Sequence, residues 1–233
     1  MRYLPPAGSA FGPLAGLFIL GPMMAIEPLV KRTVAFFDGQ NLFHHAKVAF
    51  GHTYPNFDPG KLAGSICSSR GWAISGIHFY TGIPSSMDKP IWNHFWTAKM
   101  AVMGTRGIET FSRPLRYRNQ TINLPDGTMA IAPVGQEKGI DVRIALDIVR
   151  YALDDKYDVA LIFSQDQDLS EAVDDVKKIA KINDRWIRLA CAFPVSPTVP
   201  KARGINGTDW IRIDRATYDA CIDPNDYRPK GAP

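Results

Sequence analysis

Cysteine is scarce in this chain. Its three residues, Cys67, Cys191 and Cys221, stand far apart and are odd in number. Neither a zinc spacing nor a disulfide framework can be built from them, so the default compartment is a reducing cytoplasm. Two signatures of well-known hydrolases are also missing. The absence of Gly-x-x-x-x-Gly-Lys argues against a P-loop NTPase, and the absence of Gly-x-Ser-x-Gly against a nucleophile-elbow hydrolase. Strong charge bias is lacking too: the net charge is +4 and the pI near 8.9, a mild lean towards polyanionic partners. The apolar run Leu14–Leu20 is too short to span a membrane and lacks the flanks of a signal peptide. Residues 1–30 are therefore read as a poorly ordered extension, with Met23 or Met24 as the simplest true start.

What remains is ordinary globular composition, 45% hydrophobic and 21% charged over 233 residues. That supports one α/β domain, placed at 31–222, with 223–233 as a tail. Apolar runs predict strands at Thr33–Phe37, Trp72–Tyr80, Gly107–Ser112, Tyr157–Phe163 and Trp186–Phe193, with a short addition at Trp210–Ile213. Helical spacing predicts helices after Asn41, after Asp58-Pro59, over Asp88–Met103, from Gln136 to about Leu153, over Leu169–Ile182 and from Asp214. Strands separated by helices imply a central, mainly parallel sheet covered on both faces. Leu124-Pro125-Asp126-Gly127 is a turn signal between two short runs, which predicts an inserted β-hairpin.

The chemistry concentrates where strands end in carboxylates. Thr33–Phe37 stops at Asp38-Gly39-Gln40-Asn41, and Tyr157–Phe163 stops at Ser164-Gln165-Asp166-Gln167-Asp168. In a parallel sheet, carboxyl ends face the crevice where ligands sit. Asp38 and Asp166 would be neighbours there if their strands pair. Asn41 caps the next helix or points into the same crevice. Asp141 would approach from its helix, on one face with Lys138. Asp147, about 240° further round, would point elsewhere. Asp168-Leu169-Ser170-Glu171 also reads as a capping box, a competing role for Asp168 that Asp166 does not share. Carboxylates converging without histidine or cysteine form a hard oxygen site, suited to Mg²⁺ or Mn²⁺ and to phosphoryl transfer.

Other features carry a plain reading beside a functional one. Arg113, Arg116 and Arg118 surround Tyr117 on the expected hairpin, either as solvated charge or as an RNA-contacting surface with a stacking ring. Trp92 and Trp96 lie four apart and read as core packing. The adjacent His44 and His45 point about 100° apart and make a poor metal pair.

Phe37-Asp38-Gly39-Gln40-Asn41, Lys138-Gly139-Ile140-Asp141 and Ser164-Gln165-Asp166-Gln167-Asp168-Leu169, in that order, resemble the NYN domain of LabA-like proteins, relatives of PIN-domain nucleases. The resemblance covers about residues 32–193. It implies a three-layer PIN-like fold and metal-dependent cleavage of RNA. Asp38, Asp141, Asp166 and Asp168 would form the acidic metal site, with Asn41 and Lys138 in support. The family commonly has glycine where Gln165 stands and often serine where Gln167 stands, so these glutamines are expected to narrow the crevice. RNA is the implied partner, with a homo-oligomer allowed and no membrane involved. Two rivals stand beside this: a binding module that keeps the pocket without cleaving, and a phosphatase-like enzyme. The second would want Asp-x-Asp after the first strand, where this chain has Gln40.

Overall fold

The computed structural model describes residues 25–124, 126–199 and 202–229. Six strands form one sheet in the order β3-β2-β1-β6-β7-β8, every neighbouring pair parallel. They are β1 (Lys31–Asp38), β2 (Trp72–Ile83), β3 (Glu109–Pro114), β6 (Val159–Phe163), β7 (Arg188–Pro194) and β8 (Asp209–Ile213). The strands β4 (Arg116–Asn123) and β5 (Met129–Gln136) pair antiparallel as a separate ribbon, the inserted hairpin. Among the described residues six α-helices complete the fold: α1 (Gly39–Phe50), α2 (Pro59–Arg70), α3 (Pro90–Thr105), α4 (Ile140–Leu153), α5 (Ser170–Ile182) and α6 (Arg215–Ala220).

Strand alternation sends successive side chains to opposite faces of the sheet. Ala35 and Phe37 join one core with α1, α2, α3 and α6, whereas Val34 and Phe36 join the other with α4 and α5. The result is three layers. β6 is buried along its whole length, which explains its unbroken apolar sequence. On α4 the buried stripe is Ile140, Ile144, Ile148 and Ala152, one residue per turn against the sheet.

Element boundaries differ from expectation in instructive places. The fourth helix begins at Ile140 rather than Gln136, because Gly139 adopts a left-handed φ of 73°. Lys138 is therefore outside the helix and shares no helical face with Asp141. Arg113 belongs to β3 in the main sheet, not to the hairpin. The tail expected from residue 223 is packed at least as far as Arg228. Asp223 is buried, Tyr227 sets its ring edge-on to Phe95 at 6.0 Å, and Arg228 lies over Tyr54 at 4.4 Å. Asp223 also approaches Lys99, a lysine only 1% exposed that donates to the carbonyls of Pro55 and Phe57 at 3.1 and 2.8 Å. Burial holds that ammonium well below its usual range, at about 8. Residues 25–30 carry no regular secondary structure, and the expectation for residues 1–24 lies outside the described residues. All three cysteines are free and buried. Among the described residues no helix is long and apolar enough to cross a membrane.

Candidate active site

β1 and β6 are neighbours, so their two carboxyl-terminal turns meet. Asp38 caps α1, its Oδ1 accepting from the Asn41 backbone N–H at 3.1 Å. Capping thus falls to Asp38, and the Asn41 side chain is released to accept from the Gln165 N–H at 2.8 Å across the two turns. The Ser164 hydroxyl donates to Asp38 Oδ2 at 3.2 Å and accepts from the Asp166 N–H at 3.1 Å. Gly39 has no space for a side chain: a Cβ would stand 2.5 Å from the Phe79 ring. The turn after β1 is therefore pressed onto β2.

A cleft of about 290 Å³ opens at this rim, lined by Asp38, Gln40, Asn41, His44, Glu137, Ile140, Asp141 and Asp166. Three of the four expected acidic residues line it. The fourth, Asp168, is exposed and does not. The capping role expected of Asp168 belongs instead to Asp166, whose Oδ1 accepts from the Asp168 N–H at 3.0 Å as the chain enters a 3₁₀ turn over Gln167–Leu169. In exchange the cleft gains Glu137, which sequence reasoning passed over. Its carboxylate accepts from the Gly82 N–H at the end of β2, while Gln40 donates to the Gly82 carbonyl at 3.2 Å.

Asp38 is 6% exposed, and burial, opposed by its two hydrogen bonds and reinforced by Asp166 and Asp141, pushes its carboxyl up to about 6. Burial and the nearby charge of Asp38 push Glu137 up to about 7. Carboxylates gathered without a cation repel one another, and protonation or a bound cation is what relieves them. The donors around the cleft are mostly oxygens, with His44 the one imidazole in its lining, and the carboxylates among them fit a hard divalent ion. The carboxylates stand around the cleft rather than on one point: among the described residues, no three acidic, histidine or cysteine side chains converge closely enough to hold an ion together.

Asp147 lies apart, as the helix angle predicts. It is 5% exposed, accepts from the Tyr80 hydroxyl at 3.0 Å and from Arg143 at 2.7 Å, and pairs with Arg150 at 3.0 Å. The expected basic and supporting residues are dispersed. Lys138, Arg113, Arg116 and Arg118 are exposed. Arg113 reaches over Gly139, beside the start of α4, and its guanidinium lies 5.6 Å from the Phe111 ring centre. Tyr117 faces inward, opposite to its arginine neighbours, and its hydroxyl accepts from the Ser85 N–H at 3.1 Å. It docks the hairpin and is no free platform. Gln165 and Gln167 do not narrow the acidic cleft. They turn towards the loop before β8, donating to the carbonyls of Arg203 at 2.7 Å and Gly204 at 2.9 Å.

These turns lie within a recognised family. The NYN domain matches residues 32–182, more than half of the chain, and the protein belongs to that family, one of the PIN-like nuclease families. No curated protein matches it. Among solved structures it is similar to VPA0982 from Vibrio parahaemolyticus, a protein of unknown function, at 19% identity and a TM-score of 0.49, covering 80% of this chain and 94% of that one. It is also similar to MurG from Acinetobacter baumannii at 8% identity and a TM-score of 0.31, covering 78% of this chain and 45% of that one.

Proposed function

We propose that this protein is a metal-dependent endoribonuclease that hydrolyses phosphodiester bonds of RNA at the acidic cleft. The observation that carries the reading is the gathering of Asp38, Glu137, Asp141 and Asp166 around one cleft at the carboxyl ends of β1 and β6. Membership of a PIN-like nuclease family supports it. One or two of Asp38, Asp141 and Asp166 would hold Mg²⁺ or Mn²⁺ directly, with the others and Glu137 meeting it through its retained water. Such an ion, when bound, activates water and stabilises the leaving oxygen. The chain's own part is placement. Asn41 and Ser164 fix the Asp38 carboxylate from two sides, and the Asp168 N–H fixes Asp166. Gln40 and Glu137 together lock the end of β2 against the cleft. Asn41 acts as a positioning residue that stitches the two acidic turns, and Lys138 and Arg113 at the entrance to α4 meet RNA phosphates. Arg116 and Arg118 extend that basic surface along the hairpin, while Tyr117 holds the hairpin in place. Asp168 lies beyond the cleft and is left out of this site. The reaction belongs in the cytoplasm, a placement that the three free thiols support.

The test is cleavage of labelled single-stranded RNA with Mn²⁺, Mg²⁺ or EDTA, by wild type and by Asp166→Asn. Metal-dependent cleavage that the substitution abolishes, with RNA affinity in EDTA unchanged, is the expected result. Binding without cleavage under every condition would make the protein an RNA-binding module, a reading favoured by the spacing of the acidic side chains around the cleft, no three of which converge among the described residues.

A further inference from the structure

A second cavity adjoins the acidic cleft on the hairpin side. It measures about 320 Å³ and lies between α1, α3 and the base of the β4–β5 ribbon. Gln40 and His44 line both spaces, so the two lie side by side along α1. The cleft is edged with carboxylates, whereas this cavity is walled by Phe43, Trp92, Trp96 and Leu115, with Lys89 at its edge. Gly82 explains why the two meet. A Cβ there would stand 2.4 Å from Leu115 and 2.6 Å from Glu137, so the missing side chain lets one wall of each space close on the same backbone.

The aromatic walls are held from behind. Trp96 is buried against Phe79 at 5.8 Å, as expected of a core residue. Trp92, one turn earlier, is half-buried, with its ring set edge-on to Phe95 at 5.6 Å. Asn93 donates to the Pro84 carbonyl at 2.8 Å, and the Leu115 N–H donates to the Ile83 carbonyl at 2.9 Å. The cavity is therefore shaped before any ligand arrives, and its rim carries a cation.

We propose that this cavity receives one unpaired nucleobase of the RNA whose phosphodiester lies in the acidic cleft, with Phe43 and Trp92 as its stacking walls. The inference rests on the ribonuclease reading and deepens it. Every base has a π-face that an aromatic wall can stack upon, so the cavity selects for an unstacked base rather than for one sequence. Bases within a duplex remain paired and stacked and cannot enter. Lys89 meets the adjoining phosphate. Trp92 and Phe43 are the residues that contact the base.

The experiment is a titration in EDTA, followed by fluorescence anisotropy of an end-labelled oligomer. Single-stranded RNA is compared with a sugar-phosphate oligomer of equal length lacking bases and with a fully paired duplex. Trp92→Leu is expected to weaken binding of the single-stranded RNA by roughly five- to 150-fold, the range for loss of one stacked base, and to leave the baseless oligomer unaffected. Trp92→Phe should restore most of the loss. Lys89→Ala, at an exposed position, should lower the salt slope by about 0.7, one single-strand phosphate contact. Equal weakening on both oligomers by Trp92→Leu, or duplex binding as tight as single-strand binding, would overturn the base pocket while leaving the nuclease intact. Absence of RNA binding together with absence of metal-dependent cleavage would overturn both.

Discussion

Helix α4 presents two carboxylates, Asp141 and Asp147, in opposite circumstances. Asp147 is buried and answered on every side by the Tyr80 hydroxyl and two guanidinium groups. Asp141 faces a cleft in which the charged groups are other carboxylates, Asp38, Glu137 and Asp166. Breaking a buried, paired charge costs stability because its partners are left behind. Removing one charge from an unpaired cluster relieves repulsion. One carboxylate serves the fold, and the other is arranged at the expense of the fold. On the proposed reading, that difference makes Asp141, and not Asp147, the carboxylate that would meet a cation.

The largest effect should separate the two in activity. Asp141→Asn is expected to reduce RNA cleavage by roughly 100-fold or more, beyond what loss of an outer-shell partner brings. Asp147→Asn should leave the cleavage rate of folded protein unchanged, measured below its unfolding transition. Equal losses would break the comparison. Next comes metal binding itself. With Mn²⁺ at about 100 times its dissociation constant, wild type should gain about 2.7 kcal/mol of stability, a rise of roughly 5–10 °C in Tm. Asp38→Asn should lose that rise and Asp147→Asn should keep it, both read by differential scanning fluorimetry. Third, Asp147→Asn should cost about 2 kcal/mol in metal-free buffer, the worth of hydrogen bonds to a buried charge, and lower Tm by roughly 4–8 °C.

The shallowest effect, read per pH unit, tests the same rule with the sign reversed. Lys99 is a buried cation whose folded-state pKa, about 8, lies below its ordinary 10.5. Between those values the unfolded chain holds a proton that the folded chain has released, so stability should rise with pH across the window. The slope for one proton is at most about 1.4 kcal/mol per pH unit. Lys99→Met should flatten it in urea titrations taken from pH 8 to 10.5.

The sequence displayed the layered fold and two of its acidic turns because each signal was local. The apolar runs before Asp38 and Asp166 are continuous since both strands are covered on two faces. The losses fell where pairing decides position. Glu137 follows β5 directly, and only the docking of the hairpin brings it beside Gly82, 55 residues earlier in the chain, a contact that no local pattern announces. Lys138 reads as helical until Gly139 takes its left-handed φ. The inward turn of Tyr117 was within reach, since alternation along a strand places it opposite Arg116 and Arg118. Asp166 took on the capping expected of Asp168 while keeping its place in the cleft, because the chain enters α5 through a 3₁₀ turn, which moves the capping position back by two residues.

The pairing of β1 with β6 has a kinetic consequence. The bond between Ser164 and Asp38 joins positions 126 residues apart, and it depends on a parallel alignment with long intervening chain. Closing so long a loop precedes any reward from the contacts it makes, so such pairings form slowly. During refolding, protection of the Gln165 amide, whose acceptor is Asn41 on the opposite turn, should appear with the last cooperative phase. A partly folded chain would then carry helices and hairpin but no acidic cleft, and the proposed RNA-cleaving site would exist only in the completed domain.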